Sequence, residues 1–151
     1  LAVVLDDPNI ESELHLMKVF CFAALGDKKN ASAQGLKMMS KKNIMGTSSV
    51  IQLGWMNEFF GLQISDIQEQ MIVLINNQIA GSNIALHALQ LRKGEKIAES
   101  EFDKNSFFDA LNAALYFTEK KDNNTACKFL SEAKKDMPFN VWLNQINPEC
   151  P

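Results

Sequence analysis

Apolar positions along this chain recur at helical spacing, and the residues between the runs are those that start and stop helices. From Ile10, the residues Leu14, Met17, Cys21 and Ala24 step by four, three, four and three, which predicts one apolar stripe along a helix. Asp7 followed by Pro8 supplies a cap and a first-turn proline ahead of it, and Gly26-Asp27 stops it. The run KKNASAQGLKMMSKK reads as a shorter second helix. Gly46 and Thr47 open a third, in which Ser49 and Gln52 have capping-box spacing and Gly61 ends the run. Ser65 and Gln68 repeat that spacing before a long segment that Ala80-Gly81-Ser82-Asn83 divides in two. Ser106 and Asp109 open FFDALNAALYFTEKK, and after DNN comes TACKFLSEAKKDM, stopped by Pro138. FNVWLNQI adds a last short turn.

Strand signals are poor. Met71 to Ile75, MIVLI, is the one β-branched run, and it sits inside a helical pattern. Connections of roughly two to eight residues join antiparallel helix neighbours. The expected fold is therefore all-α, with six to eight helices in antiparallel hairpins forming a repeat-like right-handed array or an irregular bundle. The chain reads as a single domain, 1–151, with a lead-in at 1–8 and a capping turn and tail at 139–151. LAVV at the start fits a strand-like lead-in, a signal-peptide remnant or a boundary equally well.

The two helices before Pro138 carry small residues at Ala110, Ala113, Ala114, Ala126 and Ala133. Helices approach closely only where side chains are small, so this set predicts a tight hairpin, with Phe117 and Leu130 filling the space beside the contact. On Ala110, Ala113-Ala114, Phe117, Ala126, Leu130, Ala133 and Pro138, the segment resembles one tetratricopeptide repeat. It departs from that family at Ala110 and Ala113, where larger residues are preferred. A weaker echo spans Phe22, Gly26-Asp27 and Ala31, with Gly35 in place of a large residue. The resemblance implies a concave groove, lined by the first helix of each pair, that binds an extended peptide or a partner helix.

From Phe107 to Phe117 the helix has almost no polar face, so one side is either central in the core or covered by something else. Ala110, Ala114 and Phe117 face the hairpin partner, leaving Phe108, Leu111, Leu115 and Thr118 to line a groove with Glu119 at its edge. The competing reading has the preceding long helix, or the last turn with Phe139 and Trp142, cover that side internally. Trp55, in LGWMNEFFG, is a second candidate partner-binding residue, whereas Phe59 reads as core.

Charge and chemistry narrow the function. With 15 basic and 18 acidic side chains, the net charge of −3 argues against nucleic-acid binding. No run reaches the roughly eighteen apolar residues that a membrane span needs. There is no glycine-rich phosphate loop, HExxH or nucleophile elbow, and of the two histidines His15 reads as half-exposed and His87 as interior. No enzyme activity, metal or cofactor is expected; Glu95, Glu99, Glu101 and Asp103 read as a solvated linker. Cys21, Cys127 and Cys150 lack the close spacing of a zinc site. Cys21 and Cys127 read as buried helix residues, but Cys150 lies between two prolines, where a bridge to Cys127 or Cys21 would explain it and would imply an oxidising compartment. A secreted or periplasmic setting is favoured on that ground over the cytoplasm. Asn30-Ala31-Ser32 and Asn123-Asn124-Thr125 match the N-glycosylation pattern. The expected function is a non-enzymatic adaptor or chaperone-like module holding a protein or peptide segment, in a setting such as secretion or envelope assembly. A small bundle carrying an apolar ligand or lipid, and a structural subunit completed by homo-oligomerisation, are the alternatives.

Overall fold

The computed structural model describes residues 8–41, 45–137 and 142–151, and among these residues it contains eight α-helices and one short 3-10 turn. No strand occurs among the described residues, and MIVLI lies in a helix, so the chain is all-α. The chain divides into two compact units, Leu1–Leu89 and Gln90–Pro151. The Asp7 cap, the LAVV lead-in, the Pro138 stop and Phe139 fall outside the described residues.

The first unit contains α1 (Pro8–Ala24), α2 (Lys28–Ser40), α3 (Thr47–Phe60), α4 (Ile67–Asn76) and most of α5 (Ser82–Arg92). The turn between α1 and α2 follows the sequence reading. Gly26 takes a left-handed φ of 81°, and Asp27 caps α2 by accepting from Asn30 N–H at 3.1 Å. Asn30 Nδ2 also donates to Asp27, at 2.6 Å, which engages the amide of the first glycosylation pattern in the cap. Gly61 ends α3 in the left-handed region, and Gly81, with φ of 83°, stands before α5 at the predicted break.

Two expected capping boxes are not caps. The N-cap of α3 is Gly46, while Ser49 instead shares a 2.7 Å hydrogen bond with Ser12 of α1. Asp66 precedes α4 with φ of 67°, and Gln68 turns back to donate to Glu58 of α3 at 3.2 Å. In both cases one member of the pair, Ser49 or Gln68, ties its helix to another element, a use that the same spacing serves equally well.

The core of this unit is Leu16, Val19 and Ala23 from α1, Ala31 and Met38 from α2, and Val50, Ile51, Leu53, Trp55 and Met56 from α3. Leu62, Ile64, Ile67 and Met71 close it. Full burial of each large side chain contributes about 1.5–3 kcal/mol. Gly35 marks the tightest approach: a Cβ there would sit 2.4 Å from Ile64 Cδ1, so Ile64 occupies the space that a larger residue would need. The Ile64 loop is fixed by Asn57, whose Oδ1 accepts from Ile64 N–H at 3.0 Å.

The second unit holds the 3-10 turn Glu99–Glu101, α6 (Phe107–Glu119), α7 (Asn123–Asp136) and α8 (Leu143–Ile146). The α6–α7 hairpin is as tight as its small residues predict, with Ala110, Ala113, Ala114, Ala126 and Ala133 all fully buried. Beside that contact, the rings of Phe117 and Phe129 stack at 6.0 Å and 2°, and Phe102 meets Tyr116, Phe117 and Phe129 at 5.8–6.1 Å. Ser106 caps α6 by accepting from Asp109 N–H at 3.4 Å. The buried Asp109 carboxylate accepts from Asp103 N–H at 2.7 Å and from Asn112 at 3.1 Å, rather than completing a capping box. The acidic residues Glu95, Glu99, Glu101 and Asp103 are exposed, but the segment is anchored by buried Ile97, whose N–H donates to Tyr116 Oη at 3.2 Å, and by Phe102.

Candidate protein-binding surface

The groove expected on α6 is largely taken up by the chain itself. Leu111 is fully buried, Phe108 and Leu115 are half-buried, and Glu119 is exposed. Phe108 packs edge-on against Phe107, with ring centres 5.5 Å apart. Thr118 donates to Ala114 O at 2.7 Å and accepts from Asn147 Nδ2 of the C-terminal tail at 3.2 Å. Leu143 of α8, which packs on α6, is fully buried. Leu111 is therefore a core residue, and the Thr118 end of the face carries the tail rather than an open groove. Trp55 is likewise corrected: it is fully buried, stacked on Phe59 at 4.6 Å and edge-on to Phe60 at 5.9 Å.

A covalent bond holds that tail. Cys127 of α7 and Cys150 form a disulfide, with Cα atoms 5.4 Å apart. Cys127 is half-buried rather than fully buried, and Cys21 takes no part. Asn147 completes the clamp from a buried position. It donates to Asn123 Oδ1 at 3.2 Å as well as to Thr118, and accepts from Glu149 N–H at 3.0 Å. Asn123 Nδ2 in turn donates to Glu149, so the second glycosylation pattern has its asparagine amide engaged. Asp122 caps α7 through Thr125, and these hydrogen bonds hold its carboxyl below the usual range.

Among the described residues, large apolar side chains are exposed at Leu36, Ile72, Val73, Ile79 and Met137, and as a stripe on α1. The predicted stripe of Ile10, Leu14, Met17, Cys21 and Ala24 is not the buried one: Leu14, Met17 and Cys21 are exposed, Met17 at 62%, and Ile10 and Ala24 are half-buried. The buried face is Ser12, Leu16, Val19 and Ala23. At about 100° per residue, the two sets lie on opposite sides of the helix. Helices α2 and α3 pack on α1, whose inner face supplies its core residues. Leu25, at 83% exposure, extends the outer stripe past the end of the helix.

Charge is distributed unevenly around this stripe. Glu11 is bound to Lys41, and at 3.4 Å to His15; the Lys41 hydrogen bond, followed by that of His15, holds its carboxyl below the usual range. His15 Nδ1 meets Gln34 of α2. Half-buried His15 and buried His87 are as the sequence suggests. Glu13 and Lys18 are exposed on either flank of the stripe.

In the second unit a shallow open depression of about 520 Å³ lies among Glu99, Ser100, Phe102, Lys104 and Phe129. Among the described residues, no cluster of three or more His, Cys, Asp or Glu side chains is arranged to hold a metal, and no helix is long and apolar enough to cross a membrane. No family model, no curated protein and no solved structure matches the chain.

Proposed function

We propose that this chain is a non-enzymatic protein-interaction module working in an oxidising compartment, and that the outer face of α1 is its binding surface. One observation carries the reading: α1 has two opposed apolar faces, and only one serves the core. Leu14, Met17 and Leu25 form a contiguous exposed apolar strip, which on a folded domain marks an interaction surface. A helix presenting anchors at such spacing binds another helix laid along it. The Cys127–Cys150 disulfide supports the compartment, since such bridges persist where thiols are not kept reduced. The resemblance of the 107–138 hairpin to a tetratricopeptide unit supports an adaptor role, with the first unit rather than α6 supplying the contact surface.

A photo-crosslinking residue placed at Lys18 tests this in the protein's own source. The expected result is a defined protein adduct that disappears when Met17→Glu is added to the same chain. An adduct pattern unchanged by Met17→Glu would reject α1 as the surface. Because Met17 is largely solvent-exposed, the variant leaves the core intact, and circular dichroism verifies this.

A further inference from the structure

The outer stripe of α1 has a feature that a general apolar patch lacks: its spacing is that of a heptad seam. Ile10, Met17 and Ala24 occupy d positions, and Leu14 and Cys21 occupy a positions. In that register Glu13 and Phe20 are g residues, and Lys18 and Leu25 are e residues. Two parallel helices bring each g residue to the e residue five positions on in the facing helix. If the facing helix is α1 of a second copy, Glu13 meets Lys18, an opposite-charge pair made twice about a two-fold axis, while Phe20 is engaged edge-on with Phe60 of its own α3 at 5.7 Å.

From these observations we propose that the outer face of α1 pairs, in parallel, with the same face of a second copy of this chain. The inference rests on the reading of α1 as a binding surface and names its partner. Charge distribution selects the orientation. Antiparallel pairing would match e with e, that is Lys18 with Glu11 of the second copy, but Glu11 is already held by Lys41 and His15 within its own chain. Glu13 is exposed and makes no ion pair in the described structure, so the parallel pairing uses the anion that is available. An isologous contact of this kind closes on itself and yields a dimer. Helices α2 and α3 pack on the core face of α1 and reach the flanks of the stripe at Glu11, which Lys41 holds, and at Phe20, which meets Phe60, leaving Leu14, Met17, Lys18 and Cys21 exposed.

The parallel seam also sets Cys21 against Cys21 of the second copy at an a layer beside the two-fold axis. There the Cα separation falls within the roughly 4.4–6.8 Å that a disulfide spans. With a small-molecule disulfide such as oxidised glutathione as oxidant, one Cys21 thiolate attacks it and expels one glutathione thiolate. The Cys21 thiolate of the second copy then attacks the Cys21 sulfur of the mixed disulfide and expels the other. Two protein thiols lose two electrons and two protons, and one glutathione disulfide becomes two glutathione thiols.

The test uses the full chain with its Cys127–Cys150 bridge intact, incubated with oxidised glutathione and followed by non-reducing electrophoresis and intact mass. A covalent dimer of two 16.9 kDa chains is expected, absent in Cys21→Ser. Met17→Glu places two unpaired charges in the seam and should slow dimer formation by about tenfold or more, which corresponds to about 1.4 kcal/mol or more for the pair. Glu13→Lys should slow it by up to about fivefold, and adding Lys18→Glu should restore the rate, because the swapped charges pair again. Accumulation of the glutathione adduct without dimer would overturn the proposal. So would a dimer whose rate ignores Met17→Glu, which is collision alone, or one that ignores the charge swap, which is not parallel. If the Lys18 photo-crosslink instead captures a different protein in a Met17-dependent manner, the surface stands and the self-pairing falls. Loss of both results removes the surface itself.

Discussion

Removing the Cys127–Cys150 bridge should cost the second unit a large part of its stability. The substitutions Cys127→Ser and Cys150→Ser, made together in a Cys21→Ser background so that no thiol is left to bridge chains, open a loop of sequence separation 23. For a closed loop of about 24 residues, the chain-entropy relation gives about 11.6 cal/mol/K, or about 3.5 kcal/mol at 25 °C. A unit of some sixty residues has a folding free energy of about 3–9 kcal/mol at typical per-residue values, so the bridge supplies a substantial share of it. Half-buried Trp142, beside α8, is an intrinsic reporter if Trp55 is replaced by Phe in both backgrounds. Urea unfolding followed by Trp142 emission should show a midpoint lower by about 3 M for an m-value near 1 kcal/mol/M. A loss below about 1 kcal/mol would refute the reasoning. It would mean that the Asn147 network and Leu143 hold the tail without the bridge, or that the unbridged unfolded chain is already compact.

Gly35→Ala should destabilise the first unit by about 1–3 kcal/mol, because its Cβ falls 2.4 Å from Ile64 Cδ1 in a packed site; thermal melts of the variant beside the parent will show it. Asn147→Ala leaves Thr118, Asn123 and the Glu149 N–H without their buried partner and should cost about 1–3 kcal/mol by denaturant titration, with faster reduction of the Cys127–Cys150 bridge as a second readout. The caps Asp27 and Asp122 titrate below the usual carboxylate range, held there first by side-chain hydrogen bonds from Asn30 and Thr125. Their contribution is therefore complete above the unfolded carboxylate value of about 3.9 and is lost as pH falls through the lower folded value. In melts at pH 6 the double variant Asp27→Ala/Asp122→Ala should unfold at lower temperature than the parent, and the gap should narrow as pH falls below about 3.9.

What was legible in the sequence depended on whether a residue has one structural use or several. The α6–α7 hairpin was readable because alanines at helical spacing permit one thing, close approach, and all five are buried in it. The turns at Gly26 and Gly61 were readable because a left-handed φ restricts the choice of residue. Cys150 was readable as a bridging residue, but the choice between Cys127 and Cys21 needed the fold. Capping boxes were less dependable: Ser49 and Gln68 match the spacing yet bond to Ser12 and Glu58, because a serine or glutamine near a helix start serves an inter-helix contact just as well. Helix α3 gives no facial signal, as every residue from Leu53 to Glu58 is buried, and that is why Trp55 could not be assigned to core or surface from its neighbours. On α6 the same all-round apolarity concealed that Leu111 faces the interior and that the tail reaches Thr118.

The inversion of α1 has the same origin and a further consequence. Its two stripes, Ile10-Leu14-Met17-Cys21-Ala24 and Ser12-Leu16-Val19-Ala23, both follow the three-and-four step of a helix face, so periodicity alone favours the longer one. The fold buries the shorter, which contains a serine, because Ser12 finds Ser49 on α3 and loses nothing by leaving water. A core-forming helix that needed only one apolar face would gain solubility from polar residues on the other. Leu14, Met17 and Leu25 in that position are the residues that the proposed pairing would bury. The flanking charges Glu13 and Lys18 bear on that pairing. In the proposed pairing they would lie beside the seam rather than in it, the place from which edge charges of paired helices select the partner while the apolar centre provides the adhesion.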